Sequence, residues 1–456
     1  MDRRQFLAGV GAFAAAGCLG GDDPATTTSG TTAETTTRTT PTTRTTETTE
    51  STTTETTTET TTAEPDTDLE RTCDGNPVPE SVSAAWPQSY LDGANTGYRS
   101  DGSVPTEKPC VAWKREMPSR PLYSTVVTED VVIKGGNGDH LRALDRVTGD
   151  LAWSTEDALV DTLSYVRWPQ VADGTVYFSA HNGRTSDKHV YALDAATGES
   201  RWDVTLDDGS AIKTGFSLAN GHVYLAAATE EPTVYALAPE DGSVAWRTTL
   251  SSAEVRVAGV PFGVDDELLC VPTGQADSGP GGVHALDPET GEKLWVADVG
   301  SVESAPTLGD DRVYVTRNSD YPLRALDKDT GEVVWRFETL NGTDGSPVLA
   351  DGSVYYGTGD GEVYRLDAES GDPEWKYETE TRIFNASPTV VGDTVLVGGD
   401  DNGGEPGLHA IDRSDGTRRW KFRTGTNVPG DAAVVGGVVY VSIGSYDAQP
   451  YTLALA

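Results

Sequence analysis

One thirteen-residue pattern recurs along the chain and restricts the folds that the chain can adopt. It reads LRALDKDTGEVVW at residues 323–335 and combines alternating apolar residues with a Thr-Gly turn and a final tryptophan. Successive copies end 49, 44, 49, 40, 40 and 45 residues apart, at Trp153, Trp202, Trp246, Trp295, Trp335, Trp375 and Trp420. A period of this length with strand-turn-strand content is typical of β-propellers, in which each repeat forms one blade.

The residue types within the pattern indicate a structural role. The alternation of apolar residues places them on one face of a sheet. Asp327 can accept backbone hydrogen bonds across the turn, and Gly331 can supply a left-handed backbone position before the next strand. Upstream of each copy lies a second pair of predicted strands, as in SAPTLGDDRVYVTRN at 304–318. Each repeat is therefore predicted to form a four-stranded antiparallel blade.

The two ends of the repeat region supply the halves of one further blade. The chain ends in YTLALA at 451–456, which matches the first half of the pattern but has neither turn nor tryptophan. The missing half is CVAWKRE, whose Trp113 lies 40 residues before Trp153. The sequence therefore predicts an all-β, eight-bladed propeller at 71–456, with an N-terminal segment (71–120) and the repeats (121–456). Pairing of the N-terminal strand with the C-terminal blade would close the ring without an exposed sheet edge.

The residues before the propeller predict export. Residues 1–18, MDRRQFLAGVGAFAAAGC, combine Arg3 and Arg4 with an apolar run and small residues before Cys18. RRQFL resembles a twin-arginine signal and AAGC resembles a lipobox, so we expect a signal at 1–18 and lipid attachment at Cys18; cleavage without a lipid is the alternative. The apolar run is about half of the roughly 20 residues that a membrane-spanning helix needs. Residues 19–70, which include the Thr-rich tract 26–62, are predicted to be a disordered stalk.

The charge of the chain argues against one class of partner. The chain carries 34 Lys plus Arg against 72 Asp plus Glu, a formal net charge of −38. Phosphate binding needs a basic face, so no nucleic-acid partner is expected. The carboxylates are scattered along the chain, which favours a solvated acidic coat. Together with the signal, this acidic composition resembles that of exported lipoproteins from halophilic archaea.

The ALDxxTGxxxW pattern resembles the PQQ-like repeat of eight-bladed β-propellers over roughly residues 84–456, and WPQSYLDGANTGY at 86–98 is similar to the N-terminal segment of these proteins. The resemblance implies that the repeat tryptophans, Trp113 included, dock neighbouring blades. Quinoprotein dehydrogenases of this family hold pyrroloquinoline quinone (PQQ) and Ca²⁺ at the centre of the ring. For such a site the resemblance implies an adjacent Cys-Cys disulfide, a Trp beneath the cofactor, and Glu, Asn and Asp around Ca²⁺.

The cysteines depart from the pattern of the dehydrogenases. None of Cys18, Cys73, Cys110 and Cys270 is adjacent to another, so no cofactor is expected. The compact length is more similar to BamB-like lipoproteins, non-catalytic scaffolds whose ring binds partner proteins. Cys73 and Cys110 flank the N-terminal segment and are predicted to form a disulfide bond.

Few residues form a pattern typical of a chemical site. The six His form neither H-E-x-x-H nor a short Cys/His cluster, so we predict no catalytic residue and no metal ligand. Binding residues usually lie on loops of a rigid scaffold, and the loops between the second and third strands vary in length. These loops share one face of the predicted ring. Alignment of the inner strands places five candidate binding residues near the mouth of the ring on this face: Arg167, Lys213, Glu303, Asp344 and Asn385. Ordinary polar lining of a water-filled channel is the alternative.

These observations predict a non-catalytic, protein-binding or scaffolding propeller that is lipid-anchored at the outer face of the cytoplasmic membrane. The expected partner is a protein or a surface polymer, and the membrane is contacted only through the lipid. Two alternatives stay open: a PQQ- and Ca²⁺-dependent dehydrogenase with an altered site, and a binder of surface polysaccharide.

Overall fold

The computed structural model describes residues 67–118, 125–135, 140–156, 165–181, 189–206, 211–212, 214–228, 232–250, 256–274, 281–317, 322–342, 345–383, 386–400, 404–445 and 448–456. These described residues belong to one compact unit. The predicted signal with Cys18, and the predicted stalk up to residue 66, lie outside the described residues. The end of the predicted stalk is packed instead. Asp68 is 7% exposed, and its N–H donates to Arg423 O at 2.8 Å, so ordered contacts begin before the predicted boundary at residue 71.

Eight separate β-sheets form eight blades, whose strands we letter A to D from the inside of the ring outward. The strands of blade 1 are Val126–Val127, Val131–Lys134, Arg142–Asp145 and Leu151–Ser154. Those of blade 2 are Tyr165–Ala172, Thr175–His181, His189–Asp194 and Ser200–Thr205. Blade 3 has a two-part strand A and consists of Ala211–Ile212 with Ser217–Ala219, His222–Ala228, Thr233–Leu237 and Val244–Thr249. Blade 4 likewise consists of Arg256–Val257 with Gly263–Val264, Leu269–Gly274, Gly282–Leu286 and Lys293–Ala297.

The remaining four blades keep the same order. Blade 5 consists of Thr307–Leu308, Arg312–Thr316, Leu323–Asp327 and Val333–Phe337. Blade 6 consists of Val348–Ala350, Ser353–Gly357, Glu362–Asp367 and Pro373–Glu378. Blade 7 consists of Thr389–Val391, Thr394–Gly398, Gly407–Asp412 and Arg418–Arg423, with Tyr98–Arg99 added in parallel to its strand A. Blade 8 combines Ala433–Val435, Val438–Ile443 and Tyr451–Leu455 with Val111–Glu116 as strand D.

The core lies in layers between neighbouring sheets. Strands A of consecutive blades from 1 to 7, and those of blades 8 and 1, contact each other along the inside of the ring. One apolar layer joins Ile133 and Ala143 of blade 1 to Val166 and Phe178 of blade 2, all 0% exposed. Burial of such surface stabilises the fold by about 25 cal/mol per Å². The predicted fold class, an all-β propeller of eight four-stranded antiparallel blades, is confirmed for the described part of the chain.

Seven of the eight repeat tryptophans dock their blade on the next one. The indole Nε1 of Trp295, for example, donates to Lys328 O at 2.8 Å, in the C-to-D turn of blade 5. From Trp113 to Trp375 the acceptor carbonyls belong to Arg146, Ala195, Pro239, Pro288, Lys328, Ala368 and Arg413. Trp420 donates to Pro105 O at 2.7 Å instead, because blade 8 has no C-to-D turn of its own.

The N-terminal segment fastens this last blade. Val111–Glu116 pairs with Tyr451–Leu455 in antiparallel register, which closes the ring as the split repeat predicts. Cys73 and Cys110 form a disulfide bond with their Cα atoms 5.0 Å apart. Across the described ranges there is no helix with the length and apolar character needed to cross a bilayer.

Candidate functional site

The two ends of the ring carry different connections. The A-to-B and C-to-D turns lie at one end, which we call the turn face. The B-to-C and D-to-A connections lie at the other end, which we call the loop face. The sequence assigns the five predicted binding residues to the loop face, whereas the structure builds a groove on the turn face.

Of the five predicted binding residues, the structure fully describes one. Glu303 is half-buried ahead of strand A of blade 5, and Ser301 Oγ donates to its Oε1 at 3.3 Å. Arg167 lies in strand A of blade 2, opposite Ser179, and only its backbone is described. The other three lie outside the described residues: Lys213, Asp344 and Asn385. Their convergence at one mouth stays a prediction.

Residues 86–99 run along the inner strands on the turn face. Trp86 exchanges two backbone hydrogen bonds with Val127 of blade 1. Carbonyl groups further along accept N–H groups from blades 2, 4, 5, 6 and 7; they belong to Pro87, Gly93, Ala94, Thr96, Gly97 and Arg99. Asn95, 3% exposed, donates to Phe262 O and Pro306 O at 2.8 and 2.9 Å. One irregular segment thus pairs inner backbone groups of most blades, which would otherwise be unsatisfied.

Blade 3 is paired by a side chain, and a groove opens beside it. The Gln88 amide donates to Leu218 O at 3.1 Å and accepts from Leu218 N at 3.2 Å. Between this segment and the A-to-B turns of blades 1, 2 and 3 lies a groove of about 640 Å³. That volume falls within the range of roughly 300–1,000 Å³ that is usual for ligand sites.

Apolar side chains form the floor of this groove, and carboxylates form its rim. The floor consists of Ala85, Pro87, Val171, Ala172, Ala195, Leu218, Ala219 and Pro239. The rim carries Glu129, Asp130, Asp173 and Asp194, with Arg201 beside them. Arg201 Nη2 donates to Asp194 Oδ2 at 2.9 Å, and this bond, with N–H groups of the turn, lowers the pKa of Asp194 to about 2. The repeat pattern gave no signal for this groove: Asp194 and Arg201 belong to the pattern and recur as ordinary turn and strand residues, whereas Glu129, Asp130 and Asp173 lie in A-to-B turns outside it.

A belt of side-chain hydrogen bonds links the inner strands of blades 5 to 8. The N–H of Ala305 donates to Ser346 Oγ, and the N–H of Ser346 to Ser387 Oγ, both at 2.9 Å. The N–H of Ser387 donates to Asp431 Oδ1 at 2.7 Å. Asp431 of blade 8, 6% exposed, is therefore the last acceptor of the belt.

Blade 1 places a buried lysine at the seam with blade 8. Lys134 ends strand B, is 2% exposed, and donates to Thr125 Oγ1 at 2.8 Å. Burial lowers its pKa to about 7 against the opposing effect of Asp431, and burial raises the pKa of Asp431 to about 7. The corresponding strand B residue is buried and apolar or aromatic in the other blades: Phe178, Leu225, Val271, Val315, Tyr356, Val397 and Val441. Comparison of this column would have identified Lys134 from the sequence.

The described residues contain no group of three or more His, Cys, Asp or Glu that could hold a metal ion. Cys73 and Cys110 form a disulfide between residues 37 positions apart, which is not the adjacent Cys-Cys disulfide of the dehydrogenases. Cys270 is 0% exposed in strand B of blade 4, where burial raises the pKa of its thiol.

Eight four-stranded blades, docked through a repeated tryptophan, define an eight-bladed PQQ-like β-propeller. The PQQ_2 family model, described as "Outer membrane protein assembly factor BamB", matches residues 110–256, 186–277, 257–343 and 319–448. The chain belongs to this family, which confirms the resemblance of its repeats.

Curated relatives and solved structures match the chain to different extents. The outer membrane protein assembly factor BamB of Escherichia coli (strain K12) is 32% identical over 117 residues, which are 24% of this chain and 28% of that protein. The chain thus spans under a third of the length of this relative.

Three solved structures share the fold. Quinohemoprotein alcohol dehydrogenase from Comamonas testosteroni has a TM-score of 0.66 at 15% identity and covers 82% of this chain and 81% of its own. A europium-containing methanol dehydrogenase has a TM-score of 0.65 at 14% identity and covers 83% and 98%. BamB from Moraxella catarrhalis has a TM-score of 0.56 at 18% identity and covers 76% and 100%. At these identities the likeness concerns the fold alone.

Proposed function

We propose that the chain is a non-catalytic propeller that binds a protein partner and acts as a scaffold. The use of the cysteines carries this proposal. The only bonded pair among the described residues, Cys73–Cys110, ties the N-terminal segment to the ring, and Cys270 is buried in the core of a blade. The cysteines of the described residues therefore serve the architecture, and none of them supplies the adjacent pair of the dehydrogenases.

Family membership supports a scaffold as well. The matching family is described as an assembly factor, and the match extends from residue 110 to residue 448. An assembly factor acts by holding other proteins, which requires binding surfaces on a rigid frame more than a reactive centre. The docked blades supply such a frame, and the turn-face groove supplies a preformed concavity.

The second candidate is a dehydrogenase that uses PQQ and Ca²⁺, which the fold of the two dehydrogenase structures favours. One experiment distinguishes the scaffold from the dehydrogenase. PQQ and Ca²⁺ are added to the purified chain, and absorbance and dye reduction are recorded in the presence of alcohols and sugars. We expect neither stoichiometric binding nor turnover. Turnover would overturn the scaffold proposal.

We further propose that the protein is exported and held at the outer face of the cytoplasmic membrane by a lipid on Cys18. The supporting residues are the RRQFL and AAGC patterns of residues 1–18. Cys18→Ser should shift the protein from the membrane fraction to the medium or to the uncleaved precursor. An unchanged membrane-bound, processed product would contradict the anchor without bearing on partner binding.

A further inference from the structure

We propose that the turn-face groove binds a short basic peptide segment of the partner, with apolar side chains on the groove floor and lysine or arginine side chains at the rim. The inference rests on the proposed function, because it assumes that the partner is a protein. The groove lies on the turn face, and all of its lining residues are described, so its chemistry follows from that lining.

The floor is apolar and held rigidly. Val171 and Leu218 are 6% and 7% exposed, and both have their backbone N–H groups satisfied by the N-terminal segment. Pro87 O accepts the Val171 N–H at 2.8 Å, and the Gln88 side-chain amide forms hydrogen bonds with both the N–H and the C=O of Leu218. No backbone group of these two contacts needs a new partner, so the floor carries no polar cost. Its accessible apolar surface is supplied by the half-buried residues Ala85, Pro87, Ala172, Ala219 and Pro239. A preformed apolar surface binds aliphatic side chains with little ordering of the protein.

The rim selects positive charge. Glu129, Asp130 and Asp173 are exposed, and none of them forms an ion pair with a cation of the described ranges. Only Asp194 has its own partner, Arg201. Four carboxylates and one guanidinium leave an excess of negative charge around the apolar floor. Electrostatic complementarity of this kind raises the association rate of a cationic ligand and excludes anionic ones.

The acidic rim alone would not define a site, because the chain carries a net charge of −38 and acidic turns are common on it. The combination with an apolar floor is what distinguishes this place. Blade 5 has an A-to-B turn with the exposed residues Asp310 and Asp311, but these residues do not line the groove. Tyr177 is 2% exposed, so its ring offers no open face on which a sugar could stack.

Binding of labelled octapeptides to the purified full chain tests the proposal. Fluorescence anisotropy would compare a peptide of alternating leucine and lysine with one in which glutamate replaces lysine and one in which serine replaces leucine. We expect the leucine–lysine peptide to bind most tightly. Asp130→Asn with Asp173→Asn should weaken it by about tenfold, since each lost exposed ion pair is worth up to about 1 kcal/mol. Ala196→Trp, an exposed position on the groove wall, should weaken it by filling space without a change of charge.

The matched control is Asp310→Asn with Asp311→Asn, which removes the same charge from an equivalent turn of the same face. This variant should retain the affinity of the unmodified chain within about twofold. The proposed peptide site would be overturned by any of three results. These are an equal loss of affinity in both double variants, an unchanged affinity in Ala196→Trp, or no binding of the leucine–lysine peptide. Quinone-dependent turnover with groove binding intact would overturn the proposed function instead, so the two failures are distinguishable.

Discussion

At the scale of single residues, the turn glycine of each repeat meets two demands. Gly331 has φ +73°, and a Cβ added there would lie 2.4 Å from Cε3 of Trp295. Its recurrence in every copy indicated the first demand, because a left-handed position favours glycine. The second demand involves an indole from the preceding blade. No single repeat contains both groups, so the sequence pattern did not reveal it.

Gly331→Ala is expected to destabilise the fold more than Gly352→Ala. Gly352 has a similar φ of +77° but no atom within 4 Å of an added Cβ, so it isolates the backbone cost. That cost is about 1–2 kcal/mol for an alanine in the left-handed region. At Gly331 the displaced indole should add about 1–3 kcal/mol. Denaturant unfolding of both variants measures the difference; equal losses would mean that the indole moves aside freely.

Asp431→Asn is expected to change the pH dependence of stability. Burial raises the pKa of Asp431 to about 7 in the folded protein, against about 3.9 in an unfolded chain. The folded state therefore binds this proton more tightly, and its contribution to stability is lost as pH rises from about 4 to about 7. Asparagine keeps an acceptor for the Ser387 N–H but does not titrate.

The free energy of unfolding, measured across this pH range, should thus rise in Asp431→Asn relative to the unmodified protein. The exposed Asp310→Asn variant serves as the control and should show no such trend. A constant difference between Asp431→Asn and the unmodified protein would show that Asp431 titrates normally. Lys134 has the opposite effect at higher pH. Because burial lowers the pKa of Lys134 to about 7, the free energy of unfolding increases as pH rises from about 7 towards the pKa of lysine in the unfolded chain.

At the scale of elements, the strands of each blade follow from the sequence, but the segment that ties the blades does not. Strands repeat with a period of two residues and turns recur at fixed offsets, so the blade hairpins were predictable. Residues 86–99 have no period, and their hydrogen bonds reach several different blades. The groove was missed for the same reason: Gln88 and the A-to-B turns that form it meet only in the closed ring.

Loss of the Cys73–Cys110 bond is expected to destabilise blade 8, whose strand D comes from the N-terminal segment. The bond spans 37 residues, and a loop of this length corresponds to about 4 kcal/mol in the chain-entropy account, with measured values often lower. Cys73→Ser with Cys110→Ser should therefore lower the free energy of unfolding by about 2–4 kcal/mol. Reductant should destabilise the unmodified chain similarly and leave the variant unchanged, since Cys270 is a free, buried thiol. A variant as stable as the unmodified protein would show that strand pairing alone closes the ring.

At the scale of the whole molecule, the excess of negative charge is the main property that follows from composition. Local ion pairs exist, such as Lys328 Nζ to Asp265 Oδ2 at 2.8 Å and Arg419 Nη2 to Asp412 Oδ2 at 2.7 Å. However, 34 cationic side chains cannot pair with 72 anionic ones. The unpaired excess repels itself most strongly in the compact state, where the carboxylates are closest.

Added salt is therefore expected to stabilise the fold. The Debye length falls from about 30 Å at 0.01 M to about 3 Å at 1 M, which screens repulsion between distant carboxylates more than attraction within pairs in contact. The free energy of unfolding should rise with NaCl concentration over this range and should rise equally with KCl, because screening does not depend on the cation. A neutral osmolyte at matched osmolality is the control and should give a smaller increase. A fall in stability with salt would mean that the local ion pairs outweigh the repulsion of the acidic coat.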